Sequence, residues 1–117
     1  MPTSDSFPPD SFDVRTETRG DTLVVRASGE LDLSVVEPFE EEVRQAVLGT
    51  GMRVLLDLSE VSFIDSTGLR AIVKAEELAA GRGKEFRIWG EISPAIERAF
   101  DVTGMAERMP FEGGPLP

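Results

Sequence analysis

Val54-Leu55-Leu56-Asp57-Leu58-Ser59-Glu60-Val61-Ser62-Phe63-Ile64-Asp65-Ser66-Thr67-Gly68-Leu69 decides the reading of the fold. Val54, Leu55, Leu56 and Leu58 form a nearly continuous apolar run broken by Asp57, the pattern of a central strand covered on both faces. Val61, Phe63 and Ile64 carry the buried stretch towards Ser66. Beyond it the period changes. Gly68, Ala71, Ile72, Ala75, Leu78 and Ala79 fall on one helical stripe, with Arg70, Lys74 and Glu77 opposite, and Gly81 and Gly83 end the run. Asp65-Ser66-Thr67-Gly68 therefore lies where a buried strand hands over to an amphipathic helix.

Towards the N-terminus, Phe12, Val14 and Thr16 alternate with Asp13, Arg15 and Glu17. A turn at Arg19-Gly20-Asp21 precedes Leu23, Val24, Val25 and Ala27, which predicts an opening two-stranded hairpin. After Gly29-Glu30-Leu31-Asp32, apolar residues recur at Val35, Val36, Phe39, Val43, Ala46 and Val47, predicting a helix over about 35–48. Its start is open between two readings. Ser34 with Glu37 has capping-box spacing, but Pro38 would then lack an N–H the helix needs, whereas a first-position proline costs nothing.

On the other side, Phe86-Arg87-Ile88-Trp89 reads as a fourth strand. Ser93-Pro94 reads as an N-cap followed by a first-position proline, opening a short helix with Ile96, Ala99 and Phe100 that Gly104 ends. Met105 to Phe111 is expected to form a last short strand or an extended edge. Strands alternating with helices after a hairpin imply an α/β fold: a mixed, mostly parallel sheet with about three to four packed helices. Residues 1–11, rich in Pro, Ser and Asp, and residues 112–117 are read as flexible tails around one domain at 12–111.

A domain of 117 residues buries roughly 60 to 70% of its unfolded surface, enough for one core. With no Cys, His or Tyr, disulfides, thiolate or imidazole nucleophiles and the usual His/Cys metal sites are excluded, and no cofactor or metal is expected. Net charge is −10. The first fifty residues hold eleven Asp and Glu against four Lys and Arg, hence −7. Nucleic acid is a poor partner for such a surface, and a protein with a basic face fits better, although acidity also serves plain solubility. Met1 to Ser11 has neither the basic start nor the apolar core of a secretory leader, and no apolar run could span a bilayer, so a cytoplasmic protein with no membrane contact is expected.

The hydroxyls of Ser66 and Thr67 sit at a helix start on the C-terminal edge of a strand, where open α/β sheets place their sites. Free N–H groups there suit an anion, including a phosphate attached to the chain. Equally, Asp65 or Ser66 can simply cap the helix while Gly68 allows close packing. Local chemistry leaves both readings standing.

Gly29-Glu30-Leu31-Asp32, Val54 to Ser59, Phe63 to Leu69 and the segment from Trp89-Gly90 to Gly104 together resemble the STAS family, which includes anti-sigma factor antagonists and the tails of sulphate transporters. The likeness covers about residues 12–111. It implies a STAS-type fold and a regulatory protein, not an enzyme. It also implies that Ser66 is phosphorylated by an anti-sigma factor that is itself a serine kinase. The unphosphorylated form would bind that kinase and free the sigma factor, the phosphorylated form would let go, and a metal-dependent serine phosphatase would restore it. Asp32, Asp65, Ser66, Thr67, Gly68, Leu69 and Arg70 are the expected partner-binding residues, with Thr67 a second candidate acceptor. Asp32 and Asp57 are expected near the same edge as Asp65. Asp32 and Asp65 would orient Ser66 or face the kinase, and Asp57 would fix the following loop.

A receiver domain also ends a central strand on an aspartate, but it needs an acidic pair after its first strand, where this chain has Arg19-Gly20-Asp21. Gly49-Thr50-Gly51 and Gly81-Arg82-Gly83-Lys84 lack the spacing of nucleotide-binding loops. The stronger rival is a stand-alone STAS subunit that docks on a transporter or a stress-signalling scaffold. Self-association is left open.

Overall fold

The computed structural model describes residues 12–109 and 111–114. The opening tail, residues 1–11, lies outside them. Strand β1 (Asp13–Arg19) turns through Gly20 into β2 (Thr22–Leu31), followed by α1 (Val36–Leu48), β3 (Arg53–Ile64), α2 (Ser66–Gly81), β4 (Glu85–Trp89), α3 (Pro94–Thr103), α4 (Met105–Arg108) and β5 (Phe111–Glu112). The sheet order is β1-β2-β3-β4-β5, antiparallel only between β1 and β2 and parallel elsewhere. The expected α/β class, opening hairpin and mostly parallel sheet are all present.

Alternation along the strands sorts side chains between two unlike faces. Val25, Ala27, Val54, Leu56, Leu58, Phe86 and Ile88 join one core cluster with the buried residues of the helices, among them Phe39, Val43, Ile72, Ile96 and Phe100. The opposite face bears Glu17, Arg26, Arg53, Asp57, Glu85 and Arg87. Val24 and Leu55 lie paired in its middle, outside the core cluster yet 0% and 1% exposed. The apolar run around Leu55 predicts packed elements on both faces of β3. Among the described residues the cover on this side is instead a lattice of ion pairs: Arg26 to Glu17 at 2.8 Å, Arg53 to Glu85 at 3.1 Å and to Glu112, and Arg87 to Glu85 at 2.6 Å. The aliphatic stems of arginine cover apolar surface while the guanidinium stays wet.

Two corrections concern element ends. The expected last short strand is present but confined to Phe111–Glu112, which pairs with β4; before it, Gly104, at φ 76°, closes α3 and the chain turns at once into α4. Glu112, expected in the tail, is thus a strand residue, and Trp89 Nε1 donates to the carbonyl of Gly114 at 2.7 Å. In α1 the cap is Val35, without a side-chain cap bond, and Phe39 N donates to Val35 O. Pro38 is therefore the third helical residue. Its missing N–H is one of those that no carbonyl within the helix could have accepted, so neither expected alternative is needed.

Lys84, with no role assigned from sequence, closes the other end of α1. Its Nζ donates to Val47 O at 2.7 Å and to Gly49 O, on a helix with no basic residue in its last turn. Hydrogen bonds from a charged donor contribute about 1.5 to 3 kcal/mol. Lys84→Met is expected to cost about that much, read as a lower urea midpoint with an unchanged slope.

Candidate functional site

Strand β3 ends at Ile64 beside Leu31, the last residue of β2, and Asp65 N donates to Leu31 O at 3.2 Å. Gly29, at φ 100°, lies at a register shift in the β2–β3 ladder, a conformation that suits glycine. The bulge leaves Leu31 and Asp32 beside the end of β3. Both chain segments thus leave the sheet together, and the β2–α1 loop lies against the start of α2.

Asp65 ties the two together. Its Oδ1 accepts from Thr67 N at 3.0 Å, Gly68 N at 3.1 Å and Thr67 Oγ1 at 2.5 Å, while Oδ2 accepts from Leu33 N at 3.2 Å. Asp65 is therefore the N-cap of α2. Partial burial pushes its carboxyl up, but the hydrogen bonds from Thr67, Gly68 and Leu33 outweigh this and hold it below its ordinary value of 3.8. A carboxylate favoured by the fold contributes stability that is complete above the unfolded value and disappears as pH falls through the lower folded one. Asp65→Ala is expected to cost about 1 to 2 kcal/mol at neutral pH, and the gap from wild type to narrow as pH falls below the ordinary carboxyl value of 3.8. Urea melts across that range check it.

Gly68 is required by close approach. A Cβ there would lie 2.8 Å from Ile64 Cγ1, 2.9 Å from Leu31 Cγ and 3.0 Å from Leu31 O. The helix start is thereby pressed against the ends of β2 and β3. Gly68 and Leu69 are buried, so within the expected partner-binding set they build the site from below; Ser66 and Arg70 are exposed.

Ser66 is the first residue of α2, and its hydroxyl makes no hydrogen bond to another described residue. Thr67 differs, since its half-buried hydroxyl is held by Asp65. Asp32 stands at the same edge, as expected, but accepts from Ser34 N at 3.0 Å and Ser34 Oγ at 2.6 Å; neither Asp32 nor Asp65 bonds to Ser66. Asp57 is misplaced by the sequence reading. β3 continues for seven residues beyond it, about 23 Å, and it is buried in the lattice face, accepting from Ser59 N at 2.9 Å and paired with Arg26 at 3.4 Å. It fixes no loop. Lys74, expected on a solvent face, pairs with Glu40 across α1 and α2 at 3.2 Å.

Among the described residues, no three His, Cys, Asp or Glu side chains gather as a metal site, and no helix is long and apolar enough to cross a membrane. Residues 13–113 match the model of the STAS domain. The anti-sigma-B factor antagonist of Staphylococcus aureus (strain NCTC 8325 / PS 47) is 33% identical over 105 residues, 89% of this chain and 95% of that protein. The crystal structure of an anti-sigma factor antagonist from Mycobacterium paratuberculosis superposes with a TM-score of 0.79 at 28% identity, covering 89% of this chain and 87% of that one. The Bacillus cell fate determinant SpoIIAA in its phosphorylated form shares the fold, with a TM-score of 0.66 at 22% identity over 90% of this chain and 92% of its own. Sheet order, the capped junction at Asp65 and these likenesses agree: the chain belongs to the STAS domain family.

Proposed function

We propose that this chain is an anti-sigma factor antagonist switched at Ser66. Unphosphorylated, it binds an anti-sigma factor that is also a serine kinase and so frees the sigma factor. In the transfer the γ-phosphoryl of ATP forms a bond to Ser66 Oγ, the serine proton passes to a base of the kinase, and ADP leaves. The phosphorylated chain dissociates, and a metal-dependent serine phosphatase returns it by hydrolysis. The chain is a substrate here, not a catalyst.

The observation that carries this reading is the state of the Ser66 hydroxyl, exposed at the start of α2 and without a hydrogen bond to another described residue, while Thr67 beside it is engaged. Capping, the rival explanation for a serine at a helix start, is supplied by Asp65. The names of the relatives support the same reading. Asp32 and Arg70 complete the proposed contact surface, Asp32 in the loop beside the helix start and Arg70 one turn further on.

The test is retention of the anti-sigma factor kinase of the same organism by immobilised wild type, Ser66→Ala and Ser66→Asp without added ATP. Wild type and Ser66→Ala are expected to hold it and Ser66→Asp to lose it. If all three instead hold one transporter or scaffold protein equally, charge at Ser66 gates nothing and the docking-subunit reading replaces this one.

A further inference from the structure

Strand β1 is an edge of the sheet: among the described residues it pairs with β2 and with no other strand. The opposite edge, β5, is only two residues long. Shortness, a proline, a bulge or a lysine commonly guards such an edge against pairing with another chain. β1 has none of these. It runs for seven residues, Asp-Val-Arg-Thr-Glu-Thr-Arg, in unbroken register from Asp13 opposite Ser28 to Arg19 opposite Thr22.

The hairpin turn decides which backbone groups face outward. Gly20-Asp21 is a two-residue loop with Gly20 at φ 61°, so the flanking pair Arg19 and Thr22 closes on backbone hydrogen bonds. Antiparallel pairs alternate between bonded and unbonded. Asp13, Arg15 and Glu17 therefore direct their N–H and C=O groups at β2, while Val14, Thr16 and Thr18 turn theirs away from it. A second β1 laid antiparallel about a two-fold axis at Thr16 matches these outward groups: Thr16 meets Thr16 of the second copy, and Val14 meets its Thr18. In the unbonded pairs between them side chains come closest. Those pairs set Asp13 opposite Arg19 and Arg15 opposite Glu17.

Asp13, Arg15 and Glu17 line one depression on the ion-pair face of the sheet, and alternation puts Arg19 on that face with them. Within one chain Arg15 pairs with Asp13 at 3.0 Å and Arg19 with Glu17 at 2.8 Å. The second copy adds an opposite charge across from each, so the two strands form a checkerboard. A slip of two residues keeps the outward backbone groups matched but not the charges. One way it sets Arg15 against Arg15 and Asp13 against Glu17; the other way it sets Glu17 against Glu17 and Arg15 against Arg19. Charge thus selects a single register.

We infer that two copies of this chain join edge to edge along β1, antiparallel about a two-fold axis at Thr16, and merge their five-stranded sheets into one. The joint is separate from the proposed switch, since Ser66 follows β3, two strands in from this edge. One strand pair makes a small interface, so the dimer is expected to be half formed between about 1 µM and 1 mM.

Sedimentation equilibrium of the full chain tests the inference, with each variant first shown to melt like wild type. Thr18 is exposed, and an edge strand tolerates proline where its N–H faces solvent; Thr18→Pro is expected to stay monomeric. Asp13→Arg and Arg19→Asp each set like charges opposite one another twice in the dimer, and each is expected to weaken association by about tenfold or more. Mixed in equal amounts, these two variants set Arg against Asp at both places and are expected to associate within about threefold of wild type. The mixture keeps the question open to test should Thr18→Pro fold poorly. A wild type still monomeric at about 1 mM overturns the inference. So does a dimer that both charge reversals leave intact, or a mixture that associates no better than its separate components.

Discussion

The Ser66-phosphorylated chain is expected to bind its kinase partner roughly a thousandfold more weakly than the unphosphorylated chain in a calorimetric titration. Phosphoserine brings about −1.5 to −2 charges at neutral pH. In the free domain the effects on it nearly cancel: the start of α2 returns about 0.3 to 1 kcal/mol, and the Asp65 carboxylate repels by on the order of 1 kcal/mol across solvent. The free fold therefore changes little, and amide spectra of the two free forms should differ only around residues 31–34 and 64–70. Against a partner the balance fails. A phosphate pressed into an interface without a counter-charge costs several kcal/mol, and about 4 kcal/mol corresponds to the thousandfold. Amide shifts spread through the core would show refolding instead.

Phe100→Ala is expected to have the largest effect on stability. Phe100 is 1% exposed, belongs to the central cluster and meets Phe111 edge-on, with ring centroids 5.6 Å apart and planes at 61°. It thus fastens α3 to β5 across the α4 turn. Truncating a buried phenylalanine costs about 3 to 5 kcal/mol, a large part of the roughly 5 to 15 kcal/mol that holds a domain together. The thermal midpoint should fall by about 12 to 25 °C. A midpoint within a few degrees of wild type would show that α3 is not anchored through this ring.

The strand-to-helix junction is legible in the sequence because two local signals meet there. The apolar run ending at Ile64 and the helical stripe beginning at Gly68 leave room only for a cap and a turn start. Ser93-Pro94 is equally plain, and Ser93 Oγ accepts from Ile96 N at 3.3 Å. α4 escapes sequence reading because one turn of helix has no periodicity, and Gly104 signals a stop without specifying the element after it. Asp57 is misplaced because Ser59, Glu60 and Ser62 look like loop residues. They are strand residues on an incompletely covered sheet, and nothing local distinguishes the two. Likewise the apolar run around Leu55 announces burial but not its agent. The arginine lattice depends on register between strands far apart in sequence. At the site, position marks Ser66, but the division between an engaged Thr67 and an unengaged Ser66 rests on where Asp65 turns its carboxylate.

In the proposed switch Ser66, and not Thr67 beside it, is the acceptor. The most direct measurement incubates wild type and Ser66→Ala with the cognate anti-sigma factor kinase and ATP and maps phosphate by mass spectrometry of the peptide carrying residues 63–70. One phosphoryl group is expected on wild type, located on Ser66, and none on Ser66→Ala although Thr67 is intact. Phosphate on Thr67, or on Ser66→Ala at the wild-type rate, would contradict it.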